Sequence, residues 1–414
     1  MYSIKYINTQ ICKCFVTDMK KRLIFYDIQP YLEHKNAIVI TGMRQVGKTV
    51  LMKQLFDEIE EQPRLWFDFD NPIDQKIFED IEYNNIYKRL VEMSQPKVGR
   101  LYVFLDEIQN FPEITKVIKY LIDHYGVKFV VTGSSSFYLK NLFPESLSGR
   151  KFLYTLTPLT FKEYLYFSDV ISLEDIRKSN NIDDILEAVD LYLYKKYEVF
   201  YDQYLEYGGF PEVITTQDIQ TKKMVLSNIF ISFFEKDLKN LSDYGAIRQL
   251  RDLILLLVPR VGSMIDVSRI ARELSIDRSK VYNLLEFLQG TFFIKLLPKF
   301  SRSIDRSVAG GRKIYFSDTG ILQSIGKVNE WQLFENAVVN QLSAYGNLSF
   351  YNKRNTAEID LILNKKIAFE IKLTGVNNDL KKLHRLSRDI GIEKYYVVSK
   401  NYVGHNLIIS PINL

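Results

Sequence analysis

The 414-residue sequence is poor in metal-ligating side chains: it has two cysteines, Cys12 and Cys14, and four histidines. A C-x-C pair with no second pair and no nearby histidine makes a poor zinc site, so both are expected to be free thiols in a reducing compartment. Net charge is also scarce, at +5. A nucleic-acid footprint would therefore have to come from local clustering, not from a global field. No stretch approaches the length of a membrane span, and no long apolar run precedes Lys20, Lys21 and Arg22. These absences predict no signal peptide, no membrane partner and a cytoplasmic location. Apolar residues are plentiful, 46% against 25% charged, which excludes a disordered chain. Tyr and Phe, 27 of each, enrich the supply of core and interface side chains. The length exceeds what one core usually fills, so two or three domains are expected.

The most informative string is Gly42-Met43-Arg44-Gln45-Val46-Gly47-Lys48-Thr49, which fits G-x-x-x-x-G-K-[ST] at every fixed position. Ala37 to Ile40 reads as a buried strand entering it, and Val50 to Phe56 as a helix leaving it. Such a strand-loop-helix aims backbone N–H groups and a helix N-terminus at a polyphosphate. Lys48 is expected to reach the β/γ-phosphates of ATP, and the Thr49 hydroxyl to sit on Mg²⁺. Arg44 either contacts phosphate or braces the loop.

Alternating strands and helices then predict a parallel α/β sheet. Leu65 to Asp70, Leu101 to Glu107 and Phe129 to Ser134 read as strands with polar carboxyl ends. In open sheets of this kind ligands bind at those ends, beside the phosphate loop. Asp106 is expected to hold Mg²⁺ and Glu107 to polarise the attacking water, because two acids closing an apolar strand are costly unless a cation or water uses them. Ser134 or Thr132 is placed to sense the γ-phosphate. Arg150, after Gly149, reads either as a finger acting on a neighbouring subunit of a homo-oligomer or as a surface arginine paired with an acid.

With Thr41 to Thr49, Leu105 to Gln109, Val131 to Ser136, Ser148 to Arg150, Pro158 to Leu165 and Tyr207 to Glu212 in view, the chain resembles prokaryotic AAA-type P-loop ATPases whose C-terminal regions have unknown function. The resemblance covers most of the chain. It implies ATP binding and hydrolysis with Mg²⁺, and an α/β P-loop NTPase (AAA-type) parallel sheet.

Residues 166–250 are charged, Asn-rich and helical by period, broken at Gly208-Gly209 and Pro211, and read as a lid or linker. Within 251–300, Val267 to Leu274 and Arg278 to Gln289 are amphipathic helices joined by Ser275-Ile276-Asp277, and Phe292 to Leu297 reads as a β wing. This is the order of a winged helix. Arg278, Ser279, Lys280 and Asn283 would face a major groove, with Lys295, Lys299, Arg302, Arg306, Arg312 and Lys313 as phosphate contacts. The same module also serves as a rigid surface for a protein partner.

Farther on, Glu358 to Leu363 and Ile367 to Leu373 alternate about the turn Asn364-Lys365-Lys366. Folding the hairpin there pairs Leu363 with Ile367, Leu361 with Phe369 and Ile359 with Ile371 on one apolar face. The other face sets Asp360 opposite Glu370 and Glu358 opposite Lys372. Directly opposed carboxylates repel, and a divalent cation between them reverses the sign. An acid, a second about ten residues on and a lysine two later resemble the D…(D/E)-x-K signature of restriction-endonuclease-like nucleases. Glu335, on a helix from Glu330 to Leu342 with Trp331, Phe334, Val338 and Leu342 inward, resembles the further acid some of them carry. The chain departs from the fullest signature in having no proline before Asp360. Lys372 would stabilise charge on a scissile phosphate or help orient the water.

The expected organisation is an N-terminal tail over 1–20 and an AAA-type P-loop ATPase domain over 21–165. A helical lid or linker follows over 166–250, a winged helix over 251–300 and a small α/β restriction-endonuclease-like domain over 301–414. The expected activity is ATP hydrolysis coupled to double-stranded DNA. The alternative is a nucleotide-controlled switch that binds a protein and whose nuclease-like domain cuts nothing.

Overall fold

The computed structural model describes residues 19–94, 98–133, 149–178, 182, 186–187, 189–237, 244–301, 311–353 and 357–414. The chain divides into two units, Met1–Thr157 and Pro158–Leu414. Among the described residues no helix is long and apolar enough to cross a membrane.

The first unit is built on five strands: β1 (Ala37–Gly42), β2 (Arg64–Asp68), β3 (Tyr102–Asp106), β4 (Lys128–Gly133) and β5 (Lys151–Leu156). They lie in the order β2-β3-β4-β1-β5, every neighbouring pair parallel. β1, β3 and β4 are buried at every residue. That is why they read as continuous apolar runs and not as alternating ones. The helices Tyr83–Met93 and Ile114–Tyr125 supply Ile86, Leu90, Val117, Ile118 and Leu121 to one core face. β2 stops at Asp68, two residues short of the expected Asp70. This puts Asp68 beside Asp106 in the register. Past it, Phe69 N–H still donates to the Asp106 carbonyl, and the chain then turns into a short helix capped by Asn71.

In the second unit the expected break at Gly208-Gly209 separates the helices Leu191–Tyr207 and Pro211–Thr215. The break is closely packed. A Cβ on Gly208 would stand 2.2 Å from Asp318 Oδ1, and one on Gly209 would stand 2.3 Å from the Leu159 carbonyl oxygen. The Asp318 carboxylate instead accepts from Gly209 N–H at 2.7 Å and caps the helix Thr319–Ile325 through Ile321 N–H at 2.9 Å.

Helices Tyr244–Leu257, Val267–Leu274 and Arg278–Gly290 follow, then β6 (Ile294–Pro298) paired antiparallel with β7 (Arg312–Phe316). Ser275 closes the middle helix in the left-handed region, φ 54°. Phe292, expected in the wing, is also left-handed and precedes the strand. Met264 bridges to Lys313 as a third element of this small sheet.

The C-terminal sheet has the order β12-β11-β10-β9-β8, from β8 (Leu348–Lys353), β9 (Ala357–Leu363), β10 (Ile367–Lys372), β11 (Lys394–Ser399) and β12 (Ile408–Ile409). The hairpin turns where expected, pairing Leu363 with Ile367 and Leu361 with Phe369. The two-faced alternation does not persist. The register of β8 on β9 shifts between Ser349 and Tyr351, so β9 carries one extra residue at Asp360–Leu361. Ile359 therefore packs with Ile362 and Ala368 against the helix Asn377–Asp389, not with Leu361. Ile371 N–H donates to the Asp360 carboxylate at 2.8 Å. Both faces are covered, and Asp360 and Glu370 are buried. The helix Glu330–Leu342 is buried nearly all round, including Glu335, Asn336 and Gln341, whereas Trp331 is only partly covered.

Candidate functional site

The phosphate loop leaves β1 through Gly42 and enters the helix Lys48–Glu58 through Gly47. Gly42 is required at its place: φ is 149°, and a Cβ would stand 2.1 Å from the Leu156 carbonyl oxygen on β5. Gly47, φ 97°, is different, since a Cβ there would meet nothing within 4 Å. The loop is thus pressed against β5 at one end and open at the other. Met43 and Val46 are buried, Arg44 is partly covered and Gln45 is exposed with φ 61°. Lys48 is buried, and its Nζ donates to the carbonyls of Gly42 at 3.0 Å and Met43 at 2.9 Å. Val50 lies in the first turn of the helix.

One hydrogen-bonded chain joins this loop to the acidic strand. Thr49 Oγ1 donates to Asp106 Oδ2 at 2.9 Å. Thr132, near the end of the intervening β4, donates to Asp106 Oδ1. Thr132 Oγ1 in turn accepts from Glu107 N–H at 3.1 Å. Burial pushes the Asp106 carboxyl above its ordinary range, opposed by the two threonine hydrogen bonds and reinforced by the charges of Glu107 and Asp68. A carboxylate penalised in this way gains from a cation. A hydroxyl and a carboxylate are also the hard oxygen donors that Mg²⁺ takes. The residues therefore fit Mg²⁺–ATP, with Thr49 and Asp106 on the ion and the loop amides and Lys48 on the phosphates. The ion would neutralise charge developing on the transferred phosphoryl group. Glu107 itself is left-handed, φ 55°, and its carboxylate accepts from the Gln109 side-chain amide. Its backbone is thus fixed by Thr132 and its side chain by Gln109, the restraint a water-orienting carboxylate needs.

Ser134 lies outside the described residues; on β4 it is Thr132 that reaches the acids. Arg150 is placed at the far edge of the sheet. Its carbonyl accepts from Ala37 N–H, and Lys151 pairs with Ala37, where β1 begins. Five strand steps, roughly 17 Å, separate that edge from Gly42. There Arg150 Nε is ion-paired with Asp123 at 2.7 Å. Within its own subunit it does not face the phosphate loop.

The C-terminal acids pair with lysines, some buried and some partly exposed. Glu335 Oε1 accepts from Tyr315 O–H at 2.7 Å and lies 3.7 Å from Lys313 Nζ. Lys313 also pairs with Glu358. Lys313 is therefore not a surface contact for phosphate, as expected of the wing, but an interior cation: β7 turns it inward to these acids. Glu370 Oε1 carries both Lys372 at 2.8 Å and Lys382 at 3.4 Å. Burial raises Asp360 to about 6, with Glu370 adding repulsion, and raises Glu335 to about 8 against the opposing charge of Lys313. Among the described residues no three His, Cys, Asp or Glu side chains converge to hold one metal ion.

On the helix Arg278–Gly290, Arg278, Ser279 and Asn283 are exposed and Lys280 partly so, while Val281, Leu284, Leu285 and Leu288 are buried. Arg302 and Arg306 lie outside the described residues; Arg312 is exposed and Lys299 partly covered. The contact of Gln109 with Glu107 had no sequence signal of its own. Asp68 became visible only with the register of β2 on β3.

Residues 34–165 match the family described as an AAA domain, and residues 198–332 and 332–410 match two domains of unknown function. The chain is 26% identical over 394 residues to an uncharacterized protein of Methanocaldococcus jannaschii, covering 90% of this chain and 84% of that one. It is 27% identical over 394 residues to an uncharacterized protein of Haemophilus influenzae, covering 87% and 92%. A solved Walker-type ATPase of Pyrococcus abyssi aligns over 75% of this chain and 96% of its own, at 16% identity and TM-score 0.48. Residues 34–165, which match the AAA domain, hold the five-stranded parallel sheet and its phosphate loop, and a helical region and a small C-terminal sheet domain follow.

Proposed function

We propose that the protein is a Mg²⁺-dependent ATPase whose nucleotide state governs engagement of double-stranded DNA by its C-terminal half. The observation that carries the reading is the chain Thr49–Asp106–Thr132–Glu107. It joins the phosphate loop, an ion-binding acid and a water-orienting acid across three strands. Lys48 and the amides of Gly42 to Val50 bind the phosphates, Asp106 and Thr49 hold Mg²⁺, and Glu107 orients water. A finger role for Arg150 requires a homo-oligomer in which this sheet edge meets a neighbour's phosphate loop. Stoichiometry measured with and without ATP tests it, and a monomer in both states rejects it.

The DNA half of the reading is supported by two helices meeting at Ser275, a following hairpin, and the exposed Arg278, Ser279 and Asn283. Labelled duplex binding in a salt series tests it. Affinity should fall steeply with salt and differ between ATP-bound and nucleotide-free protein. No binding at low salt removes the DNA half and leaves the ATPase.

A second reading, a nucleotide-controlled switch for a protein partner with a catalytically inactive nuclease-like domain, is favoured by one observation. Lys372 and Lys382 already pair with Glu370, and Lys313 pairs with Glu358 and lies 3.7 Å from Glu335. Under the cleavage reading, Asp360→Ala and Glu370→Ala abolish Mg²⁺-dependent nicking. Under the switch reading there is none to abolish.

A further inference from the structure

We infer that Arg22 is a positioning residue of the phosphate loop, holding the Val46–Gly47 peptide so that the Gly47 N–H serves the phosphates. The inference rests on the nucleotide-binding reading of that loop. Arg22 lies far outside the G-x-x-x-x-G-K-T string, yet its side chain is buried against it. One guanidinium nitrogen donates to the Val46 carbonyl at 3.3 Å, the other to the Thr157 carbonyl at 3.0 Å.

The Val46 carbonyl and the Gly47 N–H belong to one peptide plane. In a trans peptide the two point in opposite directions, and no described peptide is cis. Holding the carbonyl toward Arg22 therefore turns the Gly47 N–H away from it. This peptide needs an outside restraint. Gly47 has no side chain to resist a flip, and Gln45, on the other side of Val46, is left-handed at φ 61°. A hydrogen bond from a permanently charged donor is the stronger kind of restraint.

The second arm of Arg22 explains where the restraint is anchored. Thr157 follows β5, whose Leu156 is paired with Gly42 and fills the space a Cβ there would take. The backbone before Arg22 is held in turn by the helix that leaves the loop. Gln54 Nε2 donates to the carbonyls of Met19 at 3.1 Å and Lys20 at 3.4 Å, and Lys21 pairs with Glu58 at 3.2 Å. Arg22 is thus fixed from three directions and spans from the tip of the loop to the end of β5. Two carbonyls on separate nitrogens suit a guanidinium fork; a lysine ammonium is a single point charge.

The test uses the full chain with Arg22→Lys and Arg22→Gln. ATP hydrolysis kinetics and binding of a fluorescent ATP analogue are measured beside the nucleotide-free melting temperature. In whichever variant melts as the wild type does, KM for ATP and Kd for the analogue rise about tenfold while kcat changes less, with Lys milder than Gln. A merely structural arginine would lower the melting temperature without splitting KM from kcat. If the wild type binds ATP and the variants bind as tightly, the inference alone is overturned. If the folded wild type binds no ATP, the nucleotide reading falls and takes the inference with it.

Discussion

The Thr49 hydroxyl donates to Asp106 Oδ2 at 2.9 Å, so one side chain of the phosphate loop meets one of the acidic strand where the proposed Mg²⁺ would be held. Thr49→Ser keeps this hydroxyl and Thr49→Ala removes it. ATP turnover at fixed Mg²⁺ should be nearly retained in the serine variant. It should fall about 10- to 100-fold in the alanine variant, with a higher Mg²⁺ requirement. A Mg²⁺ titration of the hydrolysis rate checks both, and equal curves for the three proteins would count against the shared site.

Glu335 gives the second unit a stability that depends on pH. Tyr315 and Lys313 face it directly, with Glu358 and Asp360 close enough to add repulsion. Burial lifts its carboxyl from 4.5 to about 8. The folded state therefore holds the proton more tightly than the unfolded one. The resulting stabilisation is fully present below about 4.5 and is lost as pH rises through about 8. Urea midpoints should fall between pH 7 and pH 9 in the wild type. In Glu335→Gln, which cannot ionise, that fall should be much smaller.

Ser275 ends the helix Val267–Leu274 at φ 54°, a region where glycine is unstrained. Ser275→Gly should stabilise the unit by about 0.5–1 kcal/mol, the left-handed penalty of a side chain less the extra freedom glycine loses. Chemical denaturation measures it. Duplex binding, if present, should be unchanged, because the exposed side chains of the following helix are not altered.

The phosphate loop and the strands around it were legible because each is decided locally: a fixed motif, and apolar runs long enough to be buried on both sides. Thr49, Asp106 and Glu107 could be named for the same reason. Arg22 could not, because its partners Val46 and Thr157 are distant in sequence and carbonyls carry no side-chain signal. The hairpin about Lys365 was legible through its turn and its first pairs. Alternation then misplaced Ile359, because the extra residue at Asp360–Leu361 leaves no mark in the sequence. Lys313 looked like a surface cation for the commoner reason that lysines are rarely buried. The acids that bury it come from β9 and the helix Glu330–Leu342.

Steady-state ATP hydrolysis and ATP binding by the wild type, Lys48→Ala and Glu107→Gln test the assigned nucleotide site. The wild type should turn over ATP with Mg²⁺. Lys48→Ala should lose both binding and turnover, and Glu107→Gln should bind ATP without hydrolysing it. Turnover retained in both variants would contradict the assigned site.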